Sequence, residues 1–509
     1  MKKIVLTGFD LDFEDVYKVA YENYGVEISK EAYVRAEKSR KILDDYAEKD
    51  FPIYGYNRGV GWNKDKKVYG AYFEEYNRNL INAHCVAIDP ESTTPEVRAM
   101  MLIRLNTALC GGTGMSVEIL EHYKEFINRD IIPVVPRRGS MGQSDITSLS
   151  HIGLALIGEG DVDYKGKRTS AADALKNENL PKVKLGPKDG LSIVLSNAQS
   201  AALASLMMIE LTNLLKISNA VYCLGLEGLK GLVDVLDEKA NAMRGFEGQI
   251  KAAAECRHYL EGSYLFELED ERQLYDSLSF GDGFTVSGAV YDSAEYISHF
   301  LRKQLNSTDD NPCVIVDEER IVLASPNFEP MTWVTGIELL AINLSHLSKV
   351  CCQRTITIVN PEFSGLTRFL SPKEGEVIAF GTIQKAFVAM DAEIRSLANP
   401  SSMDVLPVAG AMEDHATNAV MVMDKVLKII DNLRYIIGIE AIHYAQAIDL
   451  RKPSKLGKGT QLVYDLIRKD IPFLDADRCL TVDIKKAYNL IKSEELINAL
   501  NKYCEDNQY

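Results

Sequence analysis

Apolar positions recur three and four residues apart over most of the chain beyond Pro95, so the pattern predicts a largely helical protein. Residues 97–108 and 117–127 both carry this spacing. A stretch at 136–160 reads as a glycine-bearing loop feeding a helix. Ser144 is placed as N-cap with Asp145 in the first turn, then Ile146, Leu149, Ile152, Leu154 and Ile157 follow, and Gly158 or Gly160 ends the run. Residues 190–196 lead into a helix over 197 to about 236 that is apolar nearly all round and belongs at the centre of a bundle. Further long helices are expected at about 238–262, 287–305, 329–355, 374–398, 412–446 and 481–503. Before them, residues 4–7 suggest a strand, Ser29 caps a helix to about Lys49, and DVDYKGKRT at 161–169 reads as a hairpin. The predicted architecture is mostly α. A mixed α/β part spans 1–195, and a long-helix bundle spans 196–509.

The chain of 509 residues is long enough to bury a large core, and its 46% hydrophobic and 26% charged content is that of an ordinary globular protein. Fifty-seven basic against 73 acidic residues leave a net charge of −16. That balance argues against nucleic acid or an anionic membrane as partner, because phosphate-binding surfaces need clustered Lys and Arg. Nine cysteines with no CxxC pair fit free thiols in a reducing cytoplasm, with Cys351 and Cys352 as core filler. No signal-peptide pattern opens the chain, and no unbroken apolar stretch reaches the roughly 18 residues of a spanning helix. A cytoplasmic protein is expected.

Metal chemistry has no foothold in the pattern. There is no HExxH or acidic metal motif, and His122, His258, His299, His346 and His443 lack ligand spacing. The glycines in FPIYGYNRGVGWNKDKK (51–67) are not a nucleotide fingerprint either, since no strand and helix flank them.

Other segments carry more. In order they are Tyr54-Gly-Tyr-Asn-Arg-Gly-Val-Gly61, Asn79-Leu80-Ile81 followed by His84, and Asp189-Gly-Leu-Ser-Ile-Val followed by Asn197. Then come Asn306-Ser-Thr-Asp-Asp-Asn-Pro312, Ser325-Pro-Asn-Phe328, Phe363-Ser-Gly-Leu-Thr-Arg-Phe-Leu370, Leu406-Pro407 and Glu413-Asp414-His415. Together, over roughly residues 50–455, they resemble the motifs of the aromatic amino acid ammonia-lyases, the histidine, phenylalanine and tyrosine lyases and related aminomutases. The acidic motif matches with Asp309 or Asp310 shifted by one. The resemblance implies a fumarase/aspartase-like helical fold and a homotetramer whose active sites combine residues of three chains, acting on a small-molecule substrate. It puts Tyr54 in the place of the catalytic acid/base and Glu413 in that of an active-site carboxylate. Tyr56, His84, Asn197 and Asn327 fall in substrate-lining positions.

In this family an Ala-Ser-Gly triplet ahead of Asp-Leu and a His cyclises into the electrophile methylidene-imidazolone, MIO. Asp145-Ile146 and His151 fit the following positions, but Gly142-Gln143-Ser144 stands where the triplet belongs. Gln143 cannot supply the dehydrated carbon, and the frame Gln143-Ser144-Asp145 lacks the glycine. No MIO is expected. The family's Tyr-Ser-Leu-Arg motif, whose arginine holds the substrate carboxylate, is Asp276-Ser-Leu-Ser279, while Arg58 occupies a threonine place in the tyrosine loop. Arg58 is therefore a candidate replacement anchor, since a guanidinium grips a carboxylate bidentately. Lys385 replaces a small residue amid Phe380, Ile383, Phe387 and Met390, with Glu413 as its natural partner.

Without MIO, a member of this family needs a substrate whose nitrogen already leaves easily, and a trimethylammonium does. The pattern is similar to that of ergothionases, MIO-less members that convert ergothioneine to thiourocanate and trimethylamine. Tyr54 would take the β-proton, Lys385 and Glu413 would polarise the thione ring, and Tyr54 and Tyr56 could present π faces to the cation. Two other readings stand beside this one. One is a histidine or other aromatic ammonia-lyase or aminomutase with an unusual electrophile, and the other is a non-catalytic homologue.

Overall fold

The computed structural model describes residues 2–267, 274–317 and 319–506. Its residues group into two compact units that alternate along the chain. The first is Met1–Ile209, Ile297–Gly336 and Pro400–Asp424, and the second is Glu210–Tyr296, Ile337–Asn399 and Lys425–Tyr509. The expected mixed part, 1–195, falls within the first unit, which also takes in residues from three later stretches.

At the centre of the first unit is the helix Thr94–Leu109, opened by a Thr93/Glu96 capping box and buried on every side from Val97 onward. Two arginines on it, Arg98 and Arg104, are buried with the apolar residues, and each pairs with backbone carbonyls and with carboxylates. Arg98 reaches the carbonyls of Val19, Tyr24 and Ile127, tying the helix to the N-terminal segment. Around it lie the parallel strand pair Lys3–Leu6 and Gly25–Ile28 and the helix Lys30–Glu48, capped by Ser29 as the sequence suggests. The predicted hairpin forms as Asp161–Tyr164 against Lys167–Ser170, but a third strand, Ile131–Pro133, pairs with its first arm. Three apolar residues are too few for periodicity to mark them as a strand.

Long helices supply the second unit, which includes residues of Ala198–Leu229, Gly283–Leu305, Met331–Ile358 and Ala419–Arg451. Several ends differ from expectation, each for a local reason. Lys230 adopts φ +68°, so the first of these helices stops at Leu229 rather than near 236. The helix expected over 238–262 is two, Glu238–Arg244 and Glu247–Tyr259, because Gly245 closes the first at φ +74° with its N–H on the Asn241 carbonyl. Residues 481–503 are also split, by extended Ser493 between Leu480–Lys492 and Glu494–Asp506. Only Gln384–Leu397 of the helix expected over 374–398 forms, and Lys458–Asp470 adds one that was not expected. The stretch Asp189–Leu229 has the length and hydropathy of a spanning helix, but 94% of its apolar window is buried. Core packing accounts for that apolarity.

Two large buried polar side chains in this unit share one carboxylate oxygen. Arg354 donates to Glu440 at 2.7 Å, and the Tyr444 hydroxyl donates to the same oxygen at 2.6 Å. His443 is different: Nδ1 lies 2.8 Å from the Ile439 carbonyl, the ring packs on Phe380 at 4.3 Å, and Nε2 has no hydrogen-bond partner among the described residues. Burial therefore pushes its pKa down to about 4. Between the unfolded value near 6.5 and about 4, only the unfolded chain binds this proton, so stability falls as pH falls through that window, by about 1.4 kcal/mol per pH unit. His443→Phe keeps the packing on Phe380 and should flatten that part of the acid limb in urea unfolding at stepped pH. An unchanged slope would show that other groups set it.

Candidate active site

Several of the residues singled out by the sequence, Tyr54, Glu413 and the 142–144 loop, lie in the first unit at the irregular stretch 400–418 that precedes the helix Ala419–Arg451. That helix starts seven residues later than expected because Ala409, Gly410, Ala411 and Asn418 all take positive φ. The resulting turn, closed by a Val408–Glu413 bridge, presents its side chains instead of winding into a helix.

The tyrosine loop meets this turn first. The Gly61 N–H donates to the Tyr54 hydroxyl oxygen at 2.7 Å, and a Cβ built on Gly61 would lie 3.6 Å from a Glu413 carboxylate oxygen. Burial raises the Tyr54 pKa, the Gly61 N–H works against it, and the nearby negative Glu413 adds to the rise. Tyr76 is close enough to Tyr54 for the two to influence each other's ionisation. Arg58, half-buried in the same loop, donates to the Asn57 carbonyl at 2.9 Å and has no described carboxylate within 4 Å.

The loop in the place of the MIO triplet meets the same stretch from the other side. The Met141 carbonyl accepts the N–H groups of Thr417 and Asn418, and the Thr417 hydroxyl donates to the Gly142 carbonyl at 3.0 Å. Gly142 itself has φ +84°, and a Cβ there would fall 2.4 Å from the Ala419 nitrogen. Ser144 is not the N-cap that was expected. It takes the left-handed φ of +67°, its N–H goes to the Asn197 side-chain oxygen at 2.9 Å, and the helix begins at Ile146 with Asp145 at the cap. The Asp145 carboxylate is fully buried and turned to Ser140 and Ser200.

Asn197 ties this scaffold together. Its side-chain nitrogen donates to the Phe328 carbonyl at 2.8 Å, so one amide clamps the loop at Ser144 to the turn at Phe328. Beside that turn stands a residue the sequence reading passed over. One oxygen of Glu329 accepts the Gln143 side-chain amide and lies 3.3 Å from His415 Nε2, while the other accepts the Met331 N–H at 2.9 Å. The available signal was a carboxylate directly after the Asn327-Phe328 match.

Remaining candidates have plainer surroundings. Tyr56 packs in a cluster with Ile42, Leu43, Ile53 and Val314, and its hydroxyl donates to Asp44 at 2.9 Å. His84 Nδ1 lies 2.7 Å from the Leu80 carbonyl at the end of its helix. The Asn327 side chain is exposed. Asp276, in the second unit, accepts the Leu232 N–H at 2.7 Å, and Lys385 is exposed near the start of Gln384–Leu397 in that unit.

Comparison with known proteins decides what this arrangement belongs to. The family described as aromatic amino acid lyase matches residues 11–469. The chain belongs to the aromatic amino acid lyase family. It is 33% identical over 506 residues to a histidine ammonia-lyase of Alkaliphilus oremlandii, covering 99% of this chain and 100% of that one. Among solved structures it resembles the ergothioneine-degrading ergothionase of Treponema denticola, crystallised with desmethyl-ergothioneine sulfonic acid. That likeness has a TM-score of 0.95 and 50% identity over 98% of this chain and 100% of that one. It also resembles histidine ammonia-lyase of Trypanosoma cruzi, with a TM-score of 0.89 and 25% identity over 98% and 95% of the two chains. The fold is the mostly helical, fumarase/aspartase-like fold of these lyases, and the protein is a carbon–nitrogen lyase of the histidine and aromatic ammonia-lyase type.

The loop geometry makes Gly142 a position only glycine can fill. Gly142→Ala should cost about 2–4 kcal/mol through the clash and the positive φ, and should displace Gln143 from Glu329. A lyase whose melting temperature and turnover both stay at the parent values would contradict this.

Proposed function

We propose that this lyase eliminates trimethylamine from ergothioneine without MIO, leaving thiourocanate. The observation that carries the reading is the loop Gly142-Gln143-Ser144, in which an amide side chain bonded to Glu329 stands where the electrophile's serine would be. Gln143 has no hydroxyl to eliminate and so cannot supply the methylidene carbon. These residues do not fit the MIO group, and no step is routed through it. The 50% identity to an ergothionase supports the same substrate.

The reaction then rests on side chains alone. The Tyr54 phenolate takes the proton from the substrate β-carbon, that bond's electrons form the α,β double bond, and the carbon–nitrogen pair leaves with trimethylamine. The Gly61 N–H favours the ionised oxygen it points at, whereas burial and Glu413 oppose ionisation, so turnover should rise with pH across the neutral range. Lys385 and Glu413 are assigned to polarising the thione ring, which makes the departing β-proton more acidic. Their joint action belongs to a homotetramer in which chains share active sites. Arg58, without an acidic partner among the described residues, is assigned to the substrate carboxylate.

A histidine ammonia-lyase reading is the alternative, supported by the relatives of that name. Incubation with each substrate separates the two. Ergothioneine should yield trimethylamine and a near-ultraviolet-absorbing product, histidine should give no urocanate, and the intact mass should equal the sequence mass. Tyr54→Phe should abolish turnover and retain binding. Ammonia release from histidine, or a mass lower by two waters, would overturn the proposal.

The anchor is tested separately. Arg58→Ala should raise KM and cost about 2–4 kcal/mol in kcat/KM, while binding of a decarboxylated analogue should be indifferent to the change. Equal losses for both ligands would give Arg58 a structural role.

A further inference from the structure

A carboxylate from another loop, Glu329, is tied to the turn at 408–415 through His415. Glu329 is held by three contacts on its two oxygens: the Gln143 amide, the Met331 N–H at 2.9 Å, and His415 Nε2 at 3.3 Å. Its side chain is 27% exposed, and no described Lys or Arg lies within 4 Å of it. The carboxylate is thus oriented by neutral donors and a histidine, with its charge left for something else. Glu413 is not equivalent, because it lies beside Gly61 and the Tyr54 hydroxyl. A cation held there would stabilise the phenolate and blunt its basicity.

A quaternary ammonium has no N–H to donate and no lone pair. A site can recognise it by shape, π faces and opposite charge, but not by hydrogen bonds. Tyr56, one source of a π face near the loop, has its ring in the core cluster. We propose that Glu329, oriented by Gln143 and His415, is the specificity-determining carboxylate that receives the trimethylammonium group of the substrate. This rests on the proposed elimination of a quaternary amine. It also explains why Gln143 suits the place of the lost triplet: its amide fixes the carboxylate that a cationic leaving group requires.

The test compares ergothioneine with its uncharged isostere, in which a tert-butyl group replaces trimethylammonium. Binding is measured by calorimetry in Tyr54→Phe protein, where no turnover intervenes. The charged ligand should bind about 10- to 100-fold more tightly than the isostere. Adding Glu329→Gln should bring the two affinities together by weakening only the charged one, and Glu329→Asp should restore part of the preference. Equal weakening of both ligands, or a preference that survives Glu329→Gln in protein with an unchanged melting temperature, would overturn the assignment. If wild-type protein releases no trimethylamine but the charge preference is present and lost with Glu329→Gln, the elimination falls and the cation site stands. Binding of neither ligand overturns both.

Discussion

Arg104 and the two aspartates that face it hold the candidate site in place. Its guanidinium, fully buried on the central helix, lies 3.4 Å from Asp309 and 3.1 Å from Asp310, and its Nε donates to the Ser192 carbonyl at 2.9 Å. Buried Lys188 completes a set of two positive and two negative charges, 3.9 Å from Asp310. Such a set adds little net stability over apolar packing, but losing one member leaves an uncompensated buried charge, at a cost of about 3–5 kcal/mol. What it provides is position. The second oxygen of Asp309 accepts Ser196 Oγ at 2.8 Å, the Asn197 N–H at 2.9 Å and Gln304 Nε2 at 3.1 Å. Asn197 in turn holds Ser144 and Phe328, so the loop bearing Gln143 and the turn bearing Glu329 both hang from one ionic core.

Burial pushes Asp309 up to about 6, against the pull of Arg104, and brings Lys188 down to about 8 despite Asp310. Both shifts run toward the neutral form, as desolvation demands. One oxygen of each aspartate also has neutral donors, Ser196 Oγ, the Asn197 N–H and Gln304 on Asp309 and Thr113 Oγ1 on Asp310 at 2.6 Å. An apolar replacement of the set could be as stable, but it would give Asn197 no carboxylate on which to orient.

How much of this was legible in the sequence depended on range. Helices with a cap and a long apolar period were readable: Ser29 and the start of Lys30–Glu48 are where local chemistry puts them. Residues 412–418 were not, because their composition suits the start of a helix, whereas the contacts of Thr417 and Asn418 to Met141 and Gly142 and the bridge of Glu413 to Val408 hold them in a turn. Tyr54 and Glu413 could be named through motif resemblance, and the structure brings them to the same glycine. Asn197 was named too, but as a substrate ligand, whereas both ends of its amide serve the loops. That difference could not be read from one chain of letters, since the partners of Asn197 lie 53 and 131 residues away.

Three loops therefore meet at one turn while the fold is fixed elsewhere: the tyrosine loop at Gly61, the 141–144 loop through Thr417, and the 325–329 turn through His415. Side chains such as Gln143 and Glu329 can change without removing a member of the Arg104 network, because they reach it through Asn197 and backbone groups. On the proposed reading, the chemistry has moved by that route. An electrophile is needed where the leaving group is poor, and a site that selects a good leaving group can dispense with it. On that proposal, the amide standing in the electrophile's place acts through Glu329, by favouring a substrate whose nitrogen is already charged and already able to depart.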